Sequence, residues 1–370
     1  MAMSPLTLGI TFNQGEATTQ LLGGSGLNQN VIFLYELLDS LGHDVYMITD
    51  EREDDFLRLE GKIYKVRSAT EIIEQQTHFD VVFEAGLTLI QRDRFFLRER
   101  CGSRIVCVRY GNLLFLDMEG LFVKNELSSN CHVGKPEMVW ISPHFEKSVY
   151  YIEALYQSQV DFAPFIWEPN FVNRRFANND YADASNVVVM EPNISVLKNA
   201  LIPLVILNEV CRENPNIFQL ATVLNGMHYC NAPYFLSNFV QNLSYLSSEQ
   251  NKVFFSGRYR IFDVFDKPHV LLGCQHYNGL NYLYMEALYM GLPLVHNSTY
   301  YLDVGFYYPE FDVRVGKKQL IKALKQYQPE HSRIQNDKFL YRFSINNPIV
   351  RNRYQVLLDR VMSIPIITSV

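Results

Sequence analysis

Residues Gly273–Ser298 read GCQHYNGLNYLYMEALYMGLPLVHNS. The run entering this block, HVLLG at His269–Gly273, is short and apolar, as suits a strand buried on both faces. A polar loop follows, then a helix over Leu280–Met290, a stop at Gly291-Leu292-Pro293, and a short strand at Pro293–His296. Strand, loop, helix, strand is the repeating unit of a parallel α/β sheet. The loop, which also holds His276 and Asn278, sets the N–H groups of Gly279, Leu280, Asn281 and Tyr282 at a helix start. Free donors and a positive dipole end make that a place to hold a diphosphate. Glu286 falls one turn after Tyr282, where its carboxylate can accept two ribose hydroxyls if it points into a cleft. The plainer reading makes Glu286 a cap or a solvated helix position. Its neighbours in YLYMEALYMG are apolar, however, and a buried carboxylate needs partners.

The alternation extends both ways from this block. Upstream in the same half, strands are expected at Asn186–Met190, Phe218–Val223 and Lys252–Phe255, with helices at Val196–Arg212 and near Tyr234–Leu246. An earlier series has strands at Leu6–Phe12, Asp44–Thr49, Asp80–Phe83, Arg104–Arg109, Met138–Ser142 and Asp161–Ile166. Its helices include one ending at Gly42 and one over Pro143–Tyr156. Two doubly wound units in tandem are the economical reading, joined near Asn170–Ala184, a polar stretch without periodicity. Ligands of such sheets sit at the carboxyl ends of the strands.

Two more stretches carry candidate chemistry. GGSGLNQN, Gly23–Asn30, follows the first strand, and Gly24, Ser25 and Gly26 would let backbone approach a phosphate. It lacks the dinucleotide-binding spacing, and a plain loop is the competing reading. MEPNISVLKNALIPL, Met190–Leu204, crosses the carboxyl edge of the second sheet. Lys198 there can neutralise a diphosphate and Asn193 can donate a hydrogen bond, against the alternative of a solvent-facing lysine in a first helical turn.

Composition sets the bounds. The 370 residues are 48% hydrophobic and 19% charged, enough for two cores without metal or disulfide staples. Six scattered cysteines form no Cys-x-x-Cys pair. MAMSPLTLGITF lacks a basic segment followed by an apolar one, and no run of 18 apolar residues occurs, so a cytoplasmic protein without a membrane span is expected. The net charge of −6 is uneven: Arg314–Arg360 holds eleven Lys and Arg against three Asp and Glu. That stretch would attract a polyanion if its cations shared a face; solvated helix faces are the alternative.

These features resemble the GT-B glycosyltransferases, in particular the retaining group with sucrose and glycogen synthases. LGHDVYMIT resembles that group's GHxVxVxT, and NGLNYLYMEALYMGLPLV its EGFGLxxxEAxxxGxPV, aligning Glu286, Ala287, Gly291 and Pro293. Asn278 stands at the first acidic position, which contacts the sugar in that group; the arginine before the lysine has no counterpart, with Glu191 and Asn193 in its neighbourhood. YGNLLFLDMEGLF, WISPHFEKS, PFIWEP and MEPNISVLKNALIPL further resemble a bacterial and phage family of about this length.

The resemblance implies two Rossmann-like domains facing a cleft. Residues 1–172 would serve the acceptor and 173–345 the nucleotide sugar, with 346–370 carrying a helix, Arg351–Met362, back to the first domain. It also implies metal-independent transfer from a nucleotide-diphosphate sugar such as a UDP-sugar, with no permanent cofactor, and Lys198 and Glu286 in the donor site. A retaining route needs no base from the first domain. An inverting one would take Asp117 or Glu119, with His132 and His144 behind them. The expected acceptor is a glycan, lipid or protein hydroxyl. DNA with hydroxymethylated pyrimidines, in the host cytoplasm if phage-encoded, is the rival. An inactive nucleotide-sugar-binding protein and an epimerase are further alternatives.

Overall fold

A computed structural model describes residues 4–13, 26–50, 54–59, 61–122, 134–172, 184–244, 252–264 and 269–367. The chain divides into two units, Met1–Phe171 with Tyr341–Val370, and Val172–Leu340.

In the first unit β1 (Thr7–Thr11) lies between β2 (Asp44–Thr49) and β5 (Val81–Glu84), parallel to both. The sheet runs β3-β4-β2-β1-β5-β6-β7-β8, adding β3 (Phe56–Leu59), β4 (Lys62–Ser68), β6 (Arg104–Arg109), β7 (Met138–Ile141) and β8 (Val160–Phe162). Only β3 is antiparallel to its neighbour among these pairs. The β3–β4 hairpin was outside the expected strands. Its signal is a period of two in KIYKVRS, whose alternate residues Tyr64, Val66 and Ser68 are buried. Central strands such as MVWI are buried at every position, which is why they read as continuous apolar runs.

Helices α1 (Gly26–Ser40), α2 (Ala69–Gln75), α3 (Gln91–Glu99), α4 (Leu113–Phe122) and α5 (Val149–Tyr156) connect these strands. Helix α1 buries Val31, Ile32, Phe33, Leu34, Leu37 and Leu38, and the turn after it needs Gly42 at φ +92°. The expected helix over Pro143–Tyr156 is a 3-10 turn over Pro143–Ser148 that passes into α5, with Phe145 off helical angles.

The second unit has the order β11-β10-β9-β12-β13-β14, all parallel. Its strands are β9 (Asn186–Val189), β10 (Leu220–Val223), β11 (Val253–Phe255), β12 (His269–Leu272), β13 (Leu294–His296) and β14 (Phe306–Tyr307). Helices α6 (Leu201–Glu213), α7 (Tyr282–Met290), α8 (Val313–Gln326) and α9 (Pro329–Leu340) cover it. Val187, Val189, Leu204, Leu207, Phe218 and Leu272 form part of one core. Helix α8 approaches α6 closely at Gly316, where a Cβ would lie 2.5 Å from Ile206.

Two helix expectations are corrected here. The helix placed at Val196–Arg212 starts only at Leu201, because Asn193 at φ +57° turns the chain and its Oδ1 takes the Ala200 N–H. The helix placed near Tyr234–Leu246 is a series of π and 3-10 turns over Phe235–Asn242. There Ser237 and Asn242 side chains donate to the Pro233 and Asn238 carbonyls, competing with regular helix.

Helix α10 (Pro348–Ser363) belongs to the first unit. Asp161 on β8, buried, pairs with both Arg353 and Arg360, and Arg353 Nε donates to the Phe162 carbonyl at 3.1 Å. Tyr354 Oη reaches the Pro164 carbonyl at 2.9 Å, and its ring meets Trp140 edge-on. Asp161→Ala should therefore loosen α10 and destabilise the first unit by about 1–3 kcal/mol, the two arginines being partly solvated. Urea denaturation checks this, and an unchanged midpoint would show that the apolar face alone anchors the helix.

Candidate functional site

Strand order in the second unit reverses between β9 and β12, and the crevice outside their carboxyl ends is where a doubly wound sheet binds ligands. The chain leaves β9 into Glu191, whose carboxylate is almost wholly buried. It accepts the Cys274 N–H at 2.9 Å and the Gln275 side-chain amide, both at the end of β12. Burial pushes the Glu191 carboxyl above its ordinary range, while the Cys274 N–H and the charge of Lys198 pull it back. Lys198 answers in the opposite sense. Burial lowers its pKa, and the Glu191 carboxylate partly restores it.

The loop between β9 and α6 holds Lys198 in place. Asn193 donates to the carbonyls of Glu191 and Leu224 at 3.0 and 2.8 Å and accepts from Ala200 N and Tyr229 Oη at 2.8 and 3.1 Å. Lys198 forms isolated antiparallel bridges with Ser195 and Gln275. His276 N donates to the Leu197 carbonyl at 2.8 Å, tying the loop to the one after β12. Lys198 thus sits in an irregular loop, half-buried, and not in a first helical turn.

Asn278 is buried and donates to Gln275 Oε1 at 3.0 Å. The Gly279 carbonyl accepts from Ser298 Oγ at 2.6 Å, and a Cβ on Gly279 would lie 2.6 Å from the Tyr300 ring. Leu280 is buried. Asn281 caps α7 by accepting the Tyr284 N–H at 2.9 Å, leaving Tyr282 as the first helical residue. Glu286 is buried on α7. A Cβ on Gly273 would lie 2.1 Å from Tyr284 Oη, so only glycine lets this tyrosine pass beneath the end of β12.

Asn193, Lys198, His276 and Asn278 are thereby joined through one hydrogen-bonded network. Glu191, Gln275, His296 and Asn297 also belong to this edge, though none was among the site residues expected from sequence. Glu191 had a signal, a carboxylate directly after the run NVVVM. Asn297 had none, because its role depends on contacts across the fold.

In the first unit Asp117 lies on α4, buried, with Tyr151 Oη donating to Oδ2 at 2.6 Å and Oδ1 without a partner. Glu119 is buried on the same helix and His144 is half-buried. Gly26 begins α1, and its carbonyl accepts from Asn30. Gly24, Ser25 and His132 lie outside the described residues.

The chain belongs to the family described as a protein of unknown function (DUF2827), whose model matches residues 8–358. None of the curated proteins matches it. Among solved structures it is similar to a sucrose-phosphate synthase from Thermosynechococcus elongatus, at 12% identity and TM-score 0.58, covering 97% of this chain and 99% of that one. It is also similar to an alpha-glucosyltransferase in complex with UDP-glucose and DNA containing an abasic site, at 11% identity and TM-score 0.60, covering 96% and 100%. The catalytic domain of Starch Synthase IV from Arabidopsis thaliana, bound to ADP and acarbose, matches at 10% identity and TM-score 0.58, covering 97% and 100%. The fold is that of the GT-B glycosyltransferases, with two parallel α/β sheets. Among the described residues no helix is long and apolar enough to cross a membrane, and no three His, Cys, Asp or Glu side chains group as metal ligands.

His296, at the end of β13, supports the site from below. It is fully buried, with Nε2 3.0 Å from the Val304 carbonyl and Nδ1 taking the Ser298 N–H at 3.2 Å. Burial lowers its pKa to about 4. Because the folded value lies below the unfolded 6.5, this histidine's contribution is complete above pH 6.5 and declines as pH falls towards 4. The loss should approach about 3 kcal/mol, and His296→Gln should flatten that part of the stability–pH curve. Urea midpoints for both proteins between pH 4 and 7 test it; parallel curves would remove His296 as the cause.

Proposed function

We propose that the protein transfers a sugar from a nucleotide-diphosphate sugar to an acceptor hydroxyl, with the donor held by its second unit. The observation that carries this reading is the buried Glu191–Gln275–Asn278 network at the strand-order reversal, with Lys198 bridged to Gln275 beside it. A partly desolvated cation beside a helix start is suited to a diphosphate. It gains most from the negative charge that grows as the nucleotide departs, so it acts on the transition state more than on the bound donor. In this reading Asn193, His276 and the Asn278–Tyr282 loop line the donor site, and Glu286 takes the ribose hydroxyls. The first unit serves the acceptor, and Gly26 begins its first helix; Gly24 and Ser25 keep the phosphate-loop role expected from sequence.

No metal or permanent cofactor enters this scheme. We favour a retaining route, in which Asp117 need not act; in an inverting route its unpartnered Oδ1 is the base. The acceptor is a glycan, lipid or protein. A DNA acceptor is the second reading, favoured by the DNA-bound neighbour and by Arg314, Lys318, Lys322 and Lys325, exposed along one stripe of α8. Against it, Lys317 is paired with Glu213, and Arg353 and Arg360 are spent on Asp161.

A panel of nucleotide sugars scored by thermal stabilisation tests the donor site, since a ligand at 100 times its Kd adds about 2.7 kcal/mol. Glu286→Gln should weaken the best binder by about 1.5–3 kcal/mol. Lys198→Ala should lower kcat more than it lowers folding stability. If neither variant changes affinity or turnover while both stay folded, the site is elsewhere. A gel-shift titration at two salt concentrations decides the DNA reading. Binding to modified DNA that weakens by a log–log slope of roughly −0.9 per phosphate contact supports it, and no retention at low salt removes it.

A further inference from the structure

Three rings stand together beside the Lys198 loop. His276 lies 4.2 Å from Tyr277 and 5.0 Å from Phe311 between ring centroids. Tyr277 and Phe311 are each 43% exposed. Large exposed aromatics grouped at a sheet's ligand edge call for an explanation that a scattered surface residue does not.

The backbone beneath them sharpens the question. Tyr277 has φ +49° and Glu310, the residue before Phe311, has φ +48°. A non-glycine residue in the left-handed region is sterically disfavoured and persists only where its surroundings enforce it. Neither strained residue is compensated by burying its own side chain, since both lie on the exposed surface. Their carrier is Asn297, which is buried at the end of β13. Its Oδ1 accepts the Gln275 N–H at 2.8 Å, and its Nδ2 donates to the carbonyls of Gln275 and Glu310 at 2.9 and 2.8 Å. One buried carboxamide thus holds both arms of the ring cluster, and the His276 N–H fixes the third side to Leu197.

We infer that His276, Tyr277 and Phe311 form a stacking platform for the sugar ring of the donor, oriented by Asn297. This rests on the donor-site reading above. A pyranose has a face of C–H groups, which meets the negative face of an aromatic ring favourably. The sugar is bonded directly to the distal phosphate, whereas the nucleobase is set off from the proximal phosphate by a ribose. The His276 backbone is tied to the residue next to Lys198, so the group reached from this clamp is the sugar.

The test compares sugar-free and sugar-bearing nucleotides by calorimetry on the full chain, using UDP with UDP-glucose, ADP with ADP-glucose, and GDP with GDP-mannose. For the pair that binds, Tyr277→Ala and Phe311→Ala should weaken the nucleotide sugar at least fivefold and leave the bare nucleotide within twofold. Asn297→Ala should do the same if it folds, and the two exposed-ring variants decide the matter if it does not. Tyr277→Phe should retain wild-type affinity, because the ring and not the hydroxyl is the contact. Equal weakening of nucleotide and nucleotide sugar would make the platform a base site and overturn the inference, as would no change in either. Failure of all six ligands to bind the wild-type protein would instead reject the donor site itself, and the platform with it.

Discussion

A carboxylate placed at the end of a central parallel strand must be neutralised, hydrogen-bonded or protonated, because solvent cannot reach it. Glu191 is in that position, and much of the second unit's carboxyl edge is arranged around it. The Cys274 N–H and the Gln275 amide come from β12, the strand beside β9, so the acid stitches the two strands together where their order reverses. Lys198 has to come from the β9–α6 loop, and that loop can bring it back only by abandoning helix until Leu201. The left-handed Asn193 is the hinge of that excursion. Without Lys198, burial would hold the Glu191 carboxyl further towards its neutral form, and without Glu191 the lysine would lose the charge that offsets its own burial.

Polar residues at this edge are arranged in relay. Gln275 gives its amide to Glu191 and its carbonyl oxygen to Asn278, while its backbone is gripped by Asn297. Asn297 extends the relay to Glu310, and Ser298, one residue on, reaches Gly279. A chain of satisfied hydrogen bonds in a low-dielectric setting is rigid, and it would keep its dipoles from reorienting toward a charged ligand of the kind proposed. The close approaches at Gly273 and Gly279 serve the same end: a side chain at either position would displace a tyrosine that backs the loop.

The legible parts of the sequence were those governed by local periodicity. Central strands such as NVVVM and HVLLG declared themselves because burial on both faces leaves no polar alternation, and the helix at Tyr282–Met290 was marked by its stop at Gly291. The start of α6 was misplaced because Val196, Leu197, Ala200 and Leu201 fit a helical stripe, while the competing hydrogen bond from Ala200 to Asn193 is a tertiary choice. The β3–β4 hairpin was missed because an edge pair buries one face only and its first strand, FLRL, is largely exposed. Lys198 and Asn193 were singled out from a motif-like position, but the acid that governs both could be valued only once β12 was known to lie beside β9.

The charge census shows the same limit from another side. Eleven cations between Arg314 and Arg360 look like one basic surface when read along the chain. The fold divides them, since α8 and α9 belong to the second unit and α10 to the first. Within each unit some are then committed to acids from distant sequence: Arg353 and Arg360 to Asp161, and Lys317 to Glu213. Arg351 donates to the Ser40 hydroxyl and carbonyl, adding a further anchor for α10 without any carboxylate. A cation used in this way fixes a helix and contributes little field to a partner, because its charge is already met at contact distance. The stripe Arg314, Lys318, Lys322 and Lys325 differs in kind: its four residues are exposed and follow helical spacing along α8. Lys338 on α9 is exposed as well, so the basic field of this stretch comes from these outward-facing cations, and the linear count of +8 overstates it.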